Sequence, residues 1–177
     1  MAAYPRTYRI HHKFLSSNHK FEIDNGTDEI LYTVRATLFP TFDKFSIYET
    51  SGGKELIKIQ REDQHLHLTY NISAVMENDS ATQHLATVRR IHGRHEHHLH
   101  GKFEIDSIYG VYKLERNANR SEHEFKIITG EKTVVDVTHF SKLENMYNVE
   151  INSDEGGDIF LLSLAITLSC IQRWRHL

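Results

Sequence analysis

Histidine is where chemistry would be sought first in this chain. Fourteen of the 177 residues are His, and five crowd into His92-Gly-Arg-His95-Glu-His97-His98-Leu-His100. In an extended segment His95 and His97 share one face while His98 and His100 share the other. A His-x-His pair on a strand is a start for a zinc or nickel site, because neutral imidazole nitrogens suit those metals. A third ligand is needed, and Glu96 falls on the opposite face. His65 and His67 form a second such pair. Solvated strand and loop histidines are the plainer expectation, so no metal site is assigned. Metal binding through His92–His100 stands as an alternative.

Two other chemistries are suggested by charge. Recognition of a phosphorylated headgroup requires Lys and Arg that converge on a pocket. The candidates are Lys13, Lys44, Arg89, Arg90 and Arg94, and nothing in the sequence shows that they converge. Calcium would require spaced carboxylates. Asp154, Glu155 and Asp158 are read instead as turn residues and as acids at a helix N-terminus, where the helix dipole favours them. No Gly-rich phosphate loop, nucleophile elbow or Cys–His arrangement is present. The expectation is a protein without catalytic residues or cofactor, not an enzyme.

These residues must be positioned by strands. Alternating apolar and polar residues recur in short blocks, predicting strands at 8–15, 18–24, 29–36, 43–49, 54–61, 66–73, 84–91, 97–105, 108–114, 123–129, 132–139 and 145–151. Turn chemistry separates them at Asn25-Gly26, Ser51-Gly52-Gly53, Asn117-Ala118-Asn119 and Gly130-Glu131. Met76–Gln83 is expected to be the least ordered stretch. A repeat runs through the pattern: Lys20-Phe-Glu-Ile-Asp24 recurs as Lys102-Phe-Glu-Ile-Asp106. Three further strands follow in the same order, Ile30–Val34 matching Tyr109–Leu114, Lys44–Tyr48 matching Glu124–Ile128, and Lys54–Ile59 matching Lys132–Val137.

After Gly156-Gly157-Asp158 comes Ile159–Ile171, apolar on every side. A helix apolar all round is buried. At 1.5 Å per residue this run spans about 20 Å, short of the roughly 30 Å of a bilayer core. It therefore reads as a helix over 157–173 that fills a barrel wider than eight strands. Ser163, Ala165, Thr167, Ser169 and Cys170 supply small side chains where the wall comes close, with hydroxyls that can bond the carbonyl four residues back.

A net charge of −3 gives no reason to expect nucleic-acid binding. The sequons at Asn25, Asn71, Asn78 and Asn119 accompany no signal-peptide pattern, and the single cysteine can form no internal disulfide. A cytoplasmic location, peripheral at membranes, is the expectation.

The sequence also resembles a known family. Phe21-Glu-Ile-Asp24-x-Gly26 followed by Ile30–Val34, Phe45–Tyr48 with Gly53–Leu56, and Tyr147–Ile151 leading into the apolar helix are similar to the LURP-one-related family. That family belongs to the Tubby C-terminal-like superfamily, with phospholipid scramblases as cousins. The resemblance covers nearly the whole chain and rests on hydrophobic and turn signals rather than catalytic residues. It implies a single domain, residues 1–177, in which twelve antiparallel strands close a barrel around a C-terminal helix. It further implies a non-catalytic binding module for a membrane phospholipid or phosphoinositide headgroup, or for a protein partner. Lys142 and Leu143 interrupt the scramblase calcium pattern, which leaves a scramblase-like lipid translocator as the alternative.

Overall fold

The structure, a computed structural model, describes residues 5–14, 19–38, 42–62, 68–77, 81–91, 102–116, 119, 121, 123–141 and 145–173. Twelve strands are followed by one helix: β1 (Arg6–Phe14), β2 (His19–Asp24), β3 (Ile30–Leu38), β4 (Phe42–Glu49), β5 (Glu55–Glu62), β6 (Thr69–Val75), β7 (Thr82–Ile91), β8 (Lys102–Ser107), β9 (Gly110–Glu115), β10 (Phe125–Thr129), β11 (Lys132–Ser141), β12 (Met146–Ile151) and α1 (Gly157–Arg173). Each strand pairs antiparallel with its sequence neighbours, and β12 closes on β1. Closure removes every free sheet edge.

Most boundaries lie within a few residues of the expected ones, and the helix has the expected limits. The strand expected from 97 begins at Lys102, and residues 97–101 lie outside the described residues. β7 reaches back to Thr82, because Thr82 and Gln83 pair with Val75 and Ala74. Of the stretch expected to be least ordered, Met76–Gln83, residues 82 and 83 belong to β7 and residues 78–80 lie outside the described residues; the Met76 N–H donates to the Ala81 carbonyl at 3.0 Å. Gly26, Gly53 and Gly130 take φ of +90°, +65° and +58° at the expected turns, values that glycine adopts without steric cost. The expected turn at Asn117-Ala118 lies outside the described residues.

The repeated segments occupy β2 and β8, β3 and β9, β4 and β10, β5 and β11. Matched strands are therefore six apart, and the barrel consists of two similar halves. Around its waist, Ile10, Val34, Ile59, Val88, Leu114 and Val137 of the odd-numbered strands stand opposite Ile23, Ile47, Ile72, Ile105, Ile127 and Val149. Strand alternation sends all of them inward, and α1 fills the space between them.

Phe160, Leu161, Leu162, Leu164, Ile166 and Leu168 of α1 are all buried, on every side of the helix. Thr167 Oγ1 donates to the Ser163 carbonyl four residues back at 2.7 Å, as expected. Ser163 Oγ instead bonds the Phe160 carbonyl three residues back, at 2.6 Å. Burial raises the Cys170 thiol to about 12, so it behaves as a small hydrophobe.

Helix entry is fixed by geometry and charge. Gly156 has φ +75°, and a Cβ there would lie 2.9 Å from the Tyr109 ring and closer still to Phe160. Asp158, in the first turn of α1, accepts hydrogen bonds from Arg6 Nε at 2.9 Å and Nη2 at 2.6 Å, and from the Tyr8 hydroxyl. Arg6 also reaches Asp154 at 2.9 Å and the Ser153 carbonyl at 2.8 Å. Asp154 and Asp158 thus do more than the turn and dipole roles read from sequence: they tie the start of the helix to the start of β1.

Candidate functional site: the barrel rim at the helix exit

β1 leaves the helix-entry rim and ends at the opposite one, and successive strands alternate in direction. The odd-numbered strands therefore all end at the helix-exit rim. The inward series of β5 reads Ile57, Ile59, Arg61; of β7, Ala86, Val88, Arg90; of β11, Val135, Val137, His139. In β1 it reads Ile10, His12, and along β9 it reads Tyr112, Leu114, continued by Arg116 one residue past the strand. Towards the helix exit, five of the six odd-numbered strands thus carry an inward basic residue within or just past the strand. Ala36 on β3 is the exception.

The register shows that these residues form one ring. His12 stands opposite Phe21, which stands opposite Val34, and Ala36 is two residues further on. The same step leads from Ala36 through Phe45 and Ile59 to Arg61, and from Arg61 through Tyr70 and Val88 to Arg90. It continues past Phe103 to Arg116, past Phe125 and Val137 to His139, then past Tyr147 and Ile10 back to His12. Strands in a barrel tilt, so residues at one height are staggered along successive strands. A stagger that returns to its starting residue marks a layer at one height.

The even-numbered strands line the same layer with rings: Phe21, Phe45, Tyr70, Phe103, Phe125 and Tyr147, all buried. Directly opposed residues in an antiparallel pair share a face, so each basic residue lies against an aromatic one. The His12 ring stacks on Phe21 at a centroid distance of 4.4 Å, and His139 meets Tyr147 edge-on at 5.1 Å. His12 is buried, while Arg61, Arg90, Arg116 and His139 are half-buried. The barrel interior is therefore aliphatic at the waist and mixed aromatic and basic in the layer nearest the helix exit.

The opposite rim carries the other sign. Asp28, Glu29, Glu49, Glu77, Glu131, Asp154, Glu155 and Asp158 lie in or beside its turns, against Arg6, Lys54 and Lys132. An open depression of about 430 Å³ beside it is lined by Asp28, Glu29, Tyr32 and Glu49, a surface that repels anions. The β8–β9 turn exposes Ile108, Tyr109 and Val111 there, 54%, 39% and 55% accessible.

Among the described basic residues singled out from sequence, only Arg90 belongs to the ring. Lys13 is on the outer face, where it and Lys20 pair with Glu22. Lys44 is exposed and outward, and Arg89 faces out between Thr69 and Glu104. Arg94, His65, His67 and the whole of His92–His100 lie outside the described residues. Among the described residues, no three His, Cys, Asp or Glu side chains are grouped to hold a metal. His12, Arg61, Arg116 and His139 were not singled out from sequence. The available signal was an apolar inward series closing on a base at the same step in strand after strand.

A second charged cluster lies on the outer face of β1 and β2. Asp24 accepts from Arg9 Nε at 2.7 Å and the Gly26 N–H at 2.7 Å, and His11 Nε2 lies 2.6 Å from its other oxygen. Burial alone would raise the Asp24 carboxyl, but these partners outweigh it and hold the group below its ordinary range. Glu22 is held low in the same way by Lys13 and Lys20 against its burial. With every one of these partners drawn from β1, β2 or the β2–β3 turn, this cluster is a strand clasp rather than a receptor.

Twelve antiparallel strands closed around one C-terminal helix, with no catalytic constellation among the described residues, define the class: a helix-filled barrel with a charged rim. A protein from Arabidopsis thaliana, known from its X-ray structure, is similar in fold. The two share 14% sequence identity and a TM-score of 0.57, over 94% of this chain and 91% of that one. The sequence profile of the LURP-one-related family matches residues 6–169, and the chain belongs to that family. No curated protein matches it significantly.

Proposed function

We propose that this protein is a non-catalytic binding module that recognises the phosphate-bearing headgroup of an anionic membrane phospholipid. The observation that carries this reading is the opposite charge of the two rims. A barrel with one basic and one acidic end is oriented by an anionic leaflet, which attracts each nearby basic side chain with about 1 kcal/mol. The basic end would face the membrane and the acidic end the cytoplasm. No helix of the described residues is long and apolar enough to cross a membrane, which favours attachment over the scramblase-like alternative.

Sedimentation of the purified chain with vesicles tests this. Pelleting should appear with phosphatidylserine or phosphoinositide in the vesicles, be absent with phosphatidylcholine alone, and fall as salt rises to physiological strength. Equal pelleting with neutral and anionic vesicles would overturn it. Movement of lipid between leaflets by the purified protein would replace it with the translocator.

The exposed Ile108, Tyr109 and Val111 support a second reading, a protein partner held at the acidic rim. Substituting these three by Ser should leave vesicle binding unchanged and weaken only such a partner.

A further inference from the structure

Four of the five large apolar side chains left exposed among the described residues, Met76, Ile108, Tyr109 and Val111, belong to the acidic rim, and the last three sit on one turn. We infer that this β8–β9 turn is the docking point for a basic amphipathic helix of a partner protein. This rests on the second reading above and names the contact residues and the kind of partner they fit.

The fold does not require apolar residues at this turn. In the other half of the barrel the matching β2–β3 turn, Asn25-Gly26-Thr27-Asp28-Glu29, is polar throughout and exposed. The β8–β9 turn is also held in place before any partner arrives. Ser107 Oγ accepts from the Tyr109 N–H at 3.0 Å and donates to the Gly110 carbonyl at 2.8 Å. The Ile108 N–H donates to the Leu85 carbonyl at 2.9 Å. On the mouth side, the Tyr109 ring rests on Phe160 at a centroid distance of 4.9 Å and leaves no room for a side chain at Gly156. A turn fixed in this way loses little freedom on binding, and a tyrosine supplies contact area at low entropic cost.

Charge selects the partner. Asp106 faces outward directly opposite Val111, on the wall side of the turn. Glu155 adjoins Gly156 on the mouth side and is exposed. Burial, and then the Glu155 carboxylate, raise the Tyr112 hydroxyl above its ordinary value, which agrees with Glu155 standing beside this hairpin. Glu131, in the neighbouring β10–β11 turn, is exposed as well. Lys113, two residues beyond Val111 on the same face, stands opposite Glu104. The apolar turn is therefore flanked by carboxylates on two sides. A second copy would bring the same carboxylates against them, and like charges juxtaposed across an interface are costly. A helix whose apolar stripe is bordered by Lys and Arg on both flanks supplies the apolar contact and the opposite sign together. The turn lies at the end of the barrel opposite the basic ring, so attachment to a membrane through the ring leaves it accessible.

The probe is a fluorescent peptide of about 18 residues, with Leu on one helical face and Lys on the other, titrated with the full-length protein without lipid. It should bind at physiological salt, and the same peptide with Glu in place of Lys should not. Ile108→Ser combined with Val111→Ser should weaken binding about ten-fold or more without changing the net charge. Tyr109→Ser should do the same. Should that variant fail to fold, because its ring supports Phe160, the exposed Ile108 and Val111 pair decides. Asp106→Asn combined with Glu155→Gln should weaken binding several-fold, while Asp28→Asn, half-way round the barrel, should leave it unchanged.

The docking point is overturned if the wild type does not bind the Lys peptide. It is also overturned if the double Ser variant binds that peptide as tightly as the wild type, because the attraction would then be to general acidity. Binding of the Glu peptide instead, lost in the Ser variants, would overturn the basic partner and keep a protein-binding turn. A wild-type dimer in sedimentation equilibrium that the Ser substitutions dissolve would overturn it with a second copy as the occupant. The headgroup reading is tested separately: its failure leaves peptide binding untouched, and loss of peptide binding leaves pelleting with anionic vesicles untouched.

Discussion

The two rims of this barrel use charge in opposite ways. At the helix entry, unlike charges are joined: Arg6 spans Asp154 and Asp158, and Asp158 also holds the Tyr8 hydroxyl. Each of these contacts closes the chain on itself, bringing the first strand to the helix that follows the last. At the helix exit, like charges are arranged in a ring, with Arg61, Arg90 and Arg116 at one height. The entry ties the chain to itself, while the exit gathers basic side chains against buried aromatic rings.

The comparison breaks most completely if the helix that joins the rims is damaged. Leu164 and Ile166 are buried at its middle. Leu164→Asp or Ile166→Asp should abolish folding, because an unpaired charge would enter a closed apolar core. Leu164→Ala should cost about 2–5 kcal/mol. Urea unfolding followed by circular dichroism measures both, and a cooperatively folded chain lacking Ile159–Ile171 would refute the central helix.

Damage confined to the entry rim should be smaller. Gly156→Ala places a Cβ against Tyr109 and Phe160 at a positive φ. Overpacking together with strain predicts a loss of about 2–4 kcal/mol. The same substitution at Gly157, where the space is open, meets only the φ of +75° and should cost about 1 kcal/mol. Equal losses at the two glycines would show that the close approach of Tyr109 carries no weight.

The outer clasp sharpens the contrast through pH. Asp24 and Glu22 have folded-state values depressed below their ordinary ones. A depressed carboxyl contributes stability that is fully present above its unfolded value, near pH 4, and is lost as pH falls through the lower folded value. Stability should therefore decline below about pH 4. Asp24→Asn and Glu22→Gln should lower stability at neutral pH and flatten that acid limb. Parallel acid limbs in the wild type and both variants would exclude these two carboxyls as its source.

The fold was largely legible in the sequence, while the ring was only partly so. Turn glycines, strand alternation and the apolar run Ile159–Ile171 are local signals, and local signals set the elements. Which basic residues meet depends on strand stagger, a property of the closed barrel that no single strand displays. Arg89 and Arg90 illustrate this, because adjacent residues of one strand face opposite sides of the wall. Both look alike as charges, and the difference emerges only when Val88 is placed inward against Tyr70 and Ile105. The Arg6–Asp158 contact was hidden for a similar reason, since 152 residues separate its partners.

The smallest expected effect concerns the histidine cluster His92–His100. With histidine neutral the chain carries −3, and protonating all fourteen would carry it to +11. Unperturbed histidine titrates near pH 6.5, so much of this change falls between about pH 7.5 and 5.5. Binding to anionic vesicles should strengthen over that interval, each protonated residue near the leaflet adding about 1 kcal/mol within the screening length. Sedimentation at the two pH values measures the effect, with His95, His97, His98 and His100 changed together to Gln. If the ring supplies the attraction and the cluster only modulates it, the variant should bind as the wild type does at pH 7.5 and lose most of the gain at pH 5.5. A pH response untouched by the four substitutions would remove the cluster as its source.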